Sequence, residues 1–276
     1  MRRIVSLLIS YLPVIVFSQT VRSPVSADYI GLGAYSNNHV DVFSLQDNQA
    51  SLAKIKSVMV GIYGEKRFLL NELGLYDASL VVPTLSGNFG LDACYYGFSD
   101  YNESQLGLAY ARSLGKKVDI GVQFNYYDVR IAGYGNASTI NVEAGTIFHL
   151  TDNLNAGLHV YNPIPGKLGK DGDEKLASIY SAGFGYEASE KFFIGLDIQK
   201  EENKPVNVNA GLQYKFLPQL MARGGISSNA AIMYLGIGFE LKFMRLDVTA
   251  SYHPQLGITP GILLVFDLSS AKENKS

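Results

Sequence analysis

The sequence predicts an all-β protein: a transmembrane antiparallel β-barrel of about 14 strands with a short N-terminal helical plug, or hatch. Three observations lead to this prediction. Apolar and polar residues alternate over stretches of about ten residues, which is the length of strands that cross a bilayer, whereas soluble strands usually have about five or six residues. The chain starts with an export signal. The predicted connections are alternately short and long, as in bacterial outer-membrane barrels.

The export signal covers residues 1–18. A basic start, Met1 to Arg3, precedes an apolar stretch from Ile4 to Phe17. Small residues before Gln19 fit a cleavage site, so we expect the mature chain to begin there. The chain is therefore predicted to be exported, with the cell outer membrane as its destination.

The composition argues against several other classes of protein. The single Cys94 rules out an internal disulfide framework. A formal net charge of −2 and a pI near 6.1 give no electrostatic footprint for nucleic acid. The sequence has no phosphate loop, HExxH, CxxC or GxSxG motif, so we predict neither an enzyme nor a cofactor.

Residues 57–268 carry the alternation that predicts the barrel. In KVDIGVQFNYY, residues 117–127, every second residue is apolar, and Asp, Gly, Gln and Asn lie between them. Because successive strand side chains point to opposite faces, this strand has one apolar and one polar face. The same alternation recurs at 140–150, 206–216 and 244–252. A soluble sandwich or propeller gives the same parity, but strand length, the signal and the loops favour the barrel, followed by a periplasmic tail at 269–276.

The predicted strands share a weak repeat of the form Gly-aliphatic-x-aromatic, in which glycine falls on the polar parity. A glycine there lets a neighbouring backbone or a plug approach closely. The repeat occurs as GLAY at 107, GVQF at 121, GTIF at 145, GFGY at 183, GLQY at 211 and GIGF at 236. The strands themselves are predicted at 57–64, 73–82, 87–97, 104–113, 117–128, 138–150, 154–161, 178–188, 191–199, 206–216, 219–227, 230–241, 243–253 and 260–268.

The connections after even-numbered strands are short, and most of those after odd-numbered strands are longer. Short examples are SGN, TDN and SE; longer ones are EKRFLLNE, RIAGYGNAS and HPQLGIT. Outer-membrane barrels have short periplasmic turns and longer outer loops. The pattern therefore predicts that both termini are periplasmic.

Residues 19–56 are not strand-like and are predicted to fill the barrel as a hatch. Eight strands give an interior that side chains fill and sixteen to eighteen give a water channel, so an empty barrel of about 14 strands would leak. Asp47 or Asn48 is a candidate N-cap for a short helix from Gln49 to Ile55. The predicted plug residues are Asn48, Gln49, Ala50 and Leu52.

The segments IGLGAY at 30–35 and DNQASLA at 47–53 resemble the N-terminal hatch of the FadL-like outer-membrane family. Members of that family carry a glycine-rich GMGGA followed by NPAGLA; Gln49 stands here in place of the Pro, and Ser51 in place of the Gly. The family also includes the PorV-type proteins of Bacteroidetes, which are linked to type IX secretion. The resemblance implies a hatch inside 14 strands, but the long outer loops that capture hydrophobic ligands in that family are missing here.

The resemblance leads to two functional hypotheses. The first is a non-enzymatic subunit or scaffold of a multi-protein outer-membrane machine, for type IX protein secretion or outer-membrane protein assembly, with other outer-membrane proteins or surface lipoproteins as partners. The alternative is a FadL-like transporter of hydrophobic small molecules. The transporter hypothesis predicts an apolar pocket between hatch and wall, and a lateral gap where a strand kinks at Gly183-Phe184-Gly185 or Gly224-Gly225.

Charged and polar residues on the inner parity are predicted to pair with each other and to hold the plug, because a buried unpaired charge is costly. His149, His159 and His253 share this parity and are predicted to satisfy hydrogen bonds of the plug. The predicted lumen-facing residues are Asp119, Glu143, Asp197, Arg223, Arg245 and Asp247.

Two predicted outer loops are candidate contact sites for a partner protein or for membrane lipid. Phe68, Leu69 and Leu70 form an apolar tip between charged residues. Lys167 and Leu168 lie in GKLGKDGDEK, residues 166–175. The acidic residues of that loop lack the full spacing of a calcium loop, so no metal site is predicted.

Overall fold

The computed structural model describes residues 32–164, 167–168 and 174–268. The predicted signal, the start of the hatch, residues 165–166 and 169–173 and the tail at 269–276 lie outside these residues. The strands are β1 Met59–Lys66, β2 Gly74–Thr84, β3 Gly87–Gly97, β4 Tyr101–Leu114, β5 Val118–Ile131, β6 Gly135–His149, β7 Leu154–Tyr161, β8 Lys167–Leu168, β9 Glu174–Lys175, β10 Ile179–Ser189, β11 Phe192–Glu201, β12 Val206–Leu217, β13 Leu220–Ser227, β14 Ile232–Glu240, β15 Met244–His253 and β16 Gly257–Asp267.

Fourteen of these strands form a closed antiparallel barrel, and β8 and β9 form a separate two-stranded hairpin. Each barrel strand pairs with the next barrel strand along the chain, and β1 closes the barrel against β16, from Met59 opposite Asp267 to Glu65 opposite Gly261. Closure leaves no unpaired sheet edge. The predicted 14-stranded barrel is confirmed.

The outward side chains of the wall strands are mostly apolar, and many of the inward ones are polar. On β5, Phe124 is 57% exposed and Val122 is 41% exposed, whereas Asp119 is fully buried. This arrangement is that of a barrel with lipid outside. Among the described helices, none is long and apolar enough to cross a membrane.

The two ends of the barrel differ. The end that contains Met59 and Asp267, here called the terminal end, has the short turns, such as Leu85–Ser86 between β2 and β3. The opposite end, here called the distal end, carries the segment between β7 and β10. Two connections predicted to be long there are short instead: Ala132–Tyr134 joins β5 to β6, and residues 254–256 join β15 to β16.

The reason for this error is that strand pairing needs only backbone groups. Apolar alternation stops where the wall leaves the lipid, but hydrogen bonding continues, so Ile131 still pairs with Gly135. The distal part of the wall therefore extends beyond the last residues that the alternation identifies.

The kinks expected for a lateral gap are not present in the described strands. Gly183 and Gly185 keep continuous pairing with β11, and Gly224 keeps it with β12. The register shifts on these strands lie between Glu187 and Ser189 and between Lys215 and Leu217, near the terminal end. The glycines at 183 and 185 instead leave space for Tyr35 of the hatch.

Candidate functional site

The hatch lies inside the terminal half of the barrel and contains two short 3₁₀ helices, Val42–Gln46 and Gln49–Lys54. Asp41 caps the first helix by accepting the N–H of Phe43 at 2.9 Å, and the Ser44 hydroxyl accepts the N–H of Asp41 in return. Asn48, the predicted N-cap, holds that position for the second helix, because its Oδ1 accepts the N–H of Ala50. Asn48, Gln49, Ala50 and Leu52 are all fully buried.

Inward-facing glycines of the wall provide the space in which the hatch fits. A Cβ at Gly121 would lie 2.5 Å from the backbone nitrogen of Ala50, and a Cβ at Gly185 would lie 2.8 Å from the Cβ of Tyr35. Neither distance is sterically allowed, so each position requires glycine while the hatch is in place. Further seats of this kind are Gly61 for Phe43, Gly90 for Leu52, Gly145 for Asn48, and Gly157 and Gly183 for Tyr35.

One group of ion pairs links the hatch to β13 and β15. Arg245 binds Asp41 of the hatch at 2.6 Å and Asp247 of the wall at 2.8 Å. Asp247 also accepts from Arg223 at 3.2 Å, and Arg223 donates to Gln213. The structure thus brings three of the predicted lumen-facing residues into one network with the hatch.

A second group lies on β5, β6 and β7. The buried Asp119 carboxylate binds Lys54 of the hatch at 3.4 Å and Nε2 of His149 at 2.6 Å. Glu143 accepts the amide of Gln49 at 2.8 Å and lies 3.0 Å from Nε2 of His159. The second hatch helix is therefore held at both ends by wall carboxylates.

A third contact involves Glu187, which the sequence did not single out. Its Oε1 accepts the Ser36 hydroxyl at 2.7 Å and the backbone N–H of Asn37 at 2.6 Å, and its Oε2 accepts the Asn38 amide. Ser36 and Asn37 lie 151 and 150 positions away from Glu187 in the sequence. The only local sign of this role was that Glu187 follows the GFGY repeat directly.

Sequence reasoning also missed Tyr35, Gln46 and Asp77. Tyr35 is buried among three wall glycines, and burial raises the pKa of its hydroxyl far above the usual range. Gln46 donates to both Asp77 and Asp92. The remaining predicted lumen residue, Asp197, is buried and accepts from Asn209 at 3.3 Å. Its charge is a second cause of the raised Tyr35 pKa.

A continuous cluster of apolar side chains runs along the lumen from the distal end to the hatch, and we call it the apolar column. It begins with Leu176 and Leu168 of the segment between β7 and β10, and it reaches Phe43, Leu52 and Ile55 of the hatch. Its wall members include Tyr96, Tyr127, Cys94, Leu75, Leu263, Ala109 and Ala111. Where an apolar pocket between hatch and wall was expected, apolar contacts fill the space.

The loops predicted to contact a partner divide into two kinds. Leu69 is 63% exposed and Leu70 is 49% exposed, whereas Phe68 is half-buried with its ring against His253. Leu168 packs onto the apolar column, and the side chain of Lys167 lies outside the described residues. Phe68 and Leu168 therefore face inward, contrary to the prediction, because the barrel interior offers each of them an apolar contact.

A cavity of about 600 Å³ opens at the distal end, and we call it the mouth cavity. Its lining comes from β1 and from β10 to β16, on the side of the barrel away from the Tyr127 end of the apolar column. Asn209 on its wall donates to Asp197, whose charge acts on Tyr35 of the hatch.

Several solved structures share this architecture. CymD, described as a monoaromatic hydrocarbon channel, matches with a TM-score of 0.65 at 14% identity, over 88% of this chain and 97% of its own. The fold is FadL-like. The toluene transporter TodX of Pseudomonas putida matches with a TM-score of 0.65 at 10% identity, over 90% and 99% of the two chains. A FadL homologue of Pseudomonas aeruginosa gives 0.63 at 12% identity, over 88% and 98%.

No protein-family model matches the sequence, and no curated protein matches it either. The TM-scores establish a common fold despite identities of only 10–14%, and functions differ widely among proteins that share a fold. The FadL-like hatch expected from IGLGAY and DNQASLA thus agrees with the fold at the level of architecture.

Proposed function

We propose that the protein is a non-enzymatic channel of the outer membrane that admits small hydrophobic molecules, with the hatch as its gate. The observation that carries this proposal is the apolar column, which joins the distal end to the hatch through buried apolar side chains. A molecule that partitions out of water can exchange contacts with such side chains at little cost. The descriptions of CymD as a monoaromatic hydrocarbon channel and of TodX as a toluene transporter support the same function.

In this proposal the terminal end faces the periplasm and the distal end faces outward. The short turns lie at the terminal end together with the start of β1 and the end of β16, and short turns are periplasmic in bacterial barrels. The described wall strands are paired all the way round, so the proposed route runs through the lumen and past the hatch. Passage then requires the hatch to shift away from its glycine seats or its polar contacts.

The proposal can be tested by measuring uptake of radiolabelled toluene into intact bacteria that make the protein in their outer membrane. We expect faster uptake than in cells with the empty vector. Ala109→Leu should reduce it several-fold, because Ala109 is buried in the column and added methyl groups overpack it. The matched control is Ala250→Leu, whose side chain lies on the outer parity of the wall.

Two results would count against the channel. One is uptake no faster than with the empty vector when equal amounts of folded barrel are present. The other is an equal loss in both alanine variants, since this would attribute the effect to barrel stability rather than to the column.

A second candidate function is a structural subunit that binds other outer-membrane proteins or surface lipoproteins, in the manner of the PorV-type branch. The exposed Leu69 and Leu70 favour it, because adjacent exposed leucines at a loop tip are typical of contact sites. Purification in mild detergent should then yield a stoichiometric protein partner that Leu69→Asp releases. A barrel that purifies alone and whose behaviour Leu69→Asp leaves unchanged would exclude this function.

A further inference from the structure

The mouth cavity differs chemically from the apolar column, because more polar than apolar residues line it. Three polar groups point into it unpaired: among the residues that the structure describes, none hydrogen-bonds to the Gln199 amide, the Ser251 hydroxyl or Nε2 of His253. The Nδ1 atom of His253 accepts the backbone N–H groups of Gln255 and Leu256 at 3.2 Å, which leaves Nε2 to carry the ring proton. The cavity therefore offers a ligand both donors and acceptors.

The charges in the cavity lining cancel in pairs. Arg67 binds Glu65 at 2.7 Å, and Lys204 binds Glu201 at 2.8 Å. The Arg67 guanidinium also lies 5.1 Å from the centre of the Tyr96 ring. A charged ligand would have to lose its hydration and compete with these existing pairs, so the lining favours an uncharged molecule.

One wall of the cavity is a rigid polar surface. The Asn207 carbonyl accepts from the hydroxyls of Ser227 and Ser228 and from the N–H of Asn229, all within 3.0 Å. Its amide donates to Asn209 at 3.0 Å. Because these groups are fixed by one another, they present a pre-formed arrangement rather than a mobile one.

The cavity also contains aromatic rings. The Phe68 ring meets His253 edge-on, with ring centres 5.9 Å apart, and Tyr234 lines the cavity from β14. Phe68 is held inward by its N–H, which donates to the Thr259 hydroxyl at 3.1 Å. An aromatic face beside hydrogen-bonding groups suits a ring that has one apolar face and polar edges.

Backbone strain is concentrated around this cavity. Of the described residues other than glycine with positive φ, all but Asn162 lie in the loops around the mouth: Phe68, Leu69, Asn203, Ala230 and Ala231. For alanine, leucine and phenylalanine this conformation is unfavourable, and such strain is typical of binding sites. The loops thus hold a shape that local sequence alone does not prefer.

From these observations we infer that the mouth cavity is a binding site for an uncharged, polyhydroxylated ring compound, such as a sugar or an aryl glycoside. Its volume of about 600 Å³ is within the range of small-molecule sites. The site borders the apolar column where Arg67 lies over Tyr96. Gln199 and Ser251 are not members of the column, and glucoside binding does not require hydrocarbon passage, so the two proposals can fail separately.

The test is equilibrium dialysis of the purified full chain with 4-nitrophenyl β-glucoside, followed by the nitrophenyl absorbance. The detergent must have no sugar headgroup; lauryldimethylamine oxide meets this requirement. We expect the glucoside to bind at least about tenfold more tightly than 4-nitrophenyl phosphate, which has the same ring and a negative charge. Ser251→Ala and Gln199→Leu should each weaken glucoside binding by about threefold to tenfold.

The matched control is Tyr134→Ala, because Tyr134 is 91% exposed at the distal end and does not line the cavity. It should leave glucoside binding unchanged. Equal affinities for the glucoside and the phosphate, no glucoside binding, or unaltered binding in both cavity variants would each overturn the inference. Toluene uptake reports separately on the channel, because Ser251→Ala leaves the column intact.

Discussion

At the scale of single residues, the hatch is held by side chains that also satisfy one another. Asp247 illustrates this, because its buried carboxylate binds two arginines and one of them, Arg245, also binds Asp41 of the hatch. Removing one member of such a set leaves another charge buried without a partner, which costs more than the lost bond itself. The hatch and the wall are therefore electrostatically interdependent.

His39 makes hatch docking sensitive to acid. Burial, with the Arg223 guanidinium as the next cause and Glu187 acting in the opposite direction, lowers the pKa of His39 to about 4. A released hatch would have a histidine pKa near 6.5 and would take up a proton that the docked hatch does not. Docking should therefore be stable above about pH 6.5 and should weaken as the pH falls towards 4, by at most about 3 kcal/mol.

This pH dependence can be measured as ion conductance of the full chain in planar bilayers at pH 7 and pH 5. We expect conductance to rise at pH 5 as the hatch loosens, and to rise less in His39→Gln, whose side chain cannot take up the proton. Every other titratable group is the same in both proteins, so only the difference between them reports on His39. An identical rise in both would show that His39 does not contribute.

At the scale of elements, the wall strands and the hatch helices fit because glycine is present where they meet. Gly121→Ala on β5 would place a Cβ against the backbone of Gln49 and Ala50. Backbone cannot rotate away as a side chain can, so we expect the free energy of unfolding in lipid vesicles to fall by about 1–3 kcal/mol.

The control for this substitution is Gly224→Ala on β13. Its added Cβ would lie 3.5 Å from Leu235, which is an ordinary van der Waals contact on the outer face. Urea unfolding of the two variants should therefore distinguish the loss caused by a clash with the hatch from the general effect of alanine in a strand. If Gly224→Ala lowered the free energy of unfolding as much as Gly121→Ala, this would contradict a specific requirement for glycine where the hatch packs.

At the scale of the whole molecule, a 14-stranded barrel is wide enough to need a plug. Deleting residues 32–56 should open a steady ion-conducting pore in planar bilayers, while the full chain at pH 7 conducts little. The deletion variant must first show a β-sheet circular dichroism spectrum like that of the full chain. A folded deletion variant that conducts no better than the full chain would show that wall side chains alone close the lumen.

The alternation of the sequence was sufficient to predict the barrel, its strand number and the inner parity of residues such as Asp119 and Asp247. These features are local, because lipid on one side and a polar lumen on the other mark every second residue. The hatch was recognisable for a similar reason, since residues before Met59 lack the alternation and contain a capped helix at Asn48.

Only the tertiary structure decided which residues meet across the lumen. Glu187 holds Ser36 over a separation of 151 residues, and Gly185 is opposite Tyr35 only because the barrel closes around the hatch. The mouth cavity likewise combines the ends of strands that are far apart in sequence. Alternation fixes the face of each side chain, but it carries no information about its partner, because the partner depends on closure, strand stagger and the path of the hatch inside the barrel.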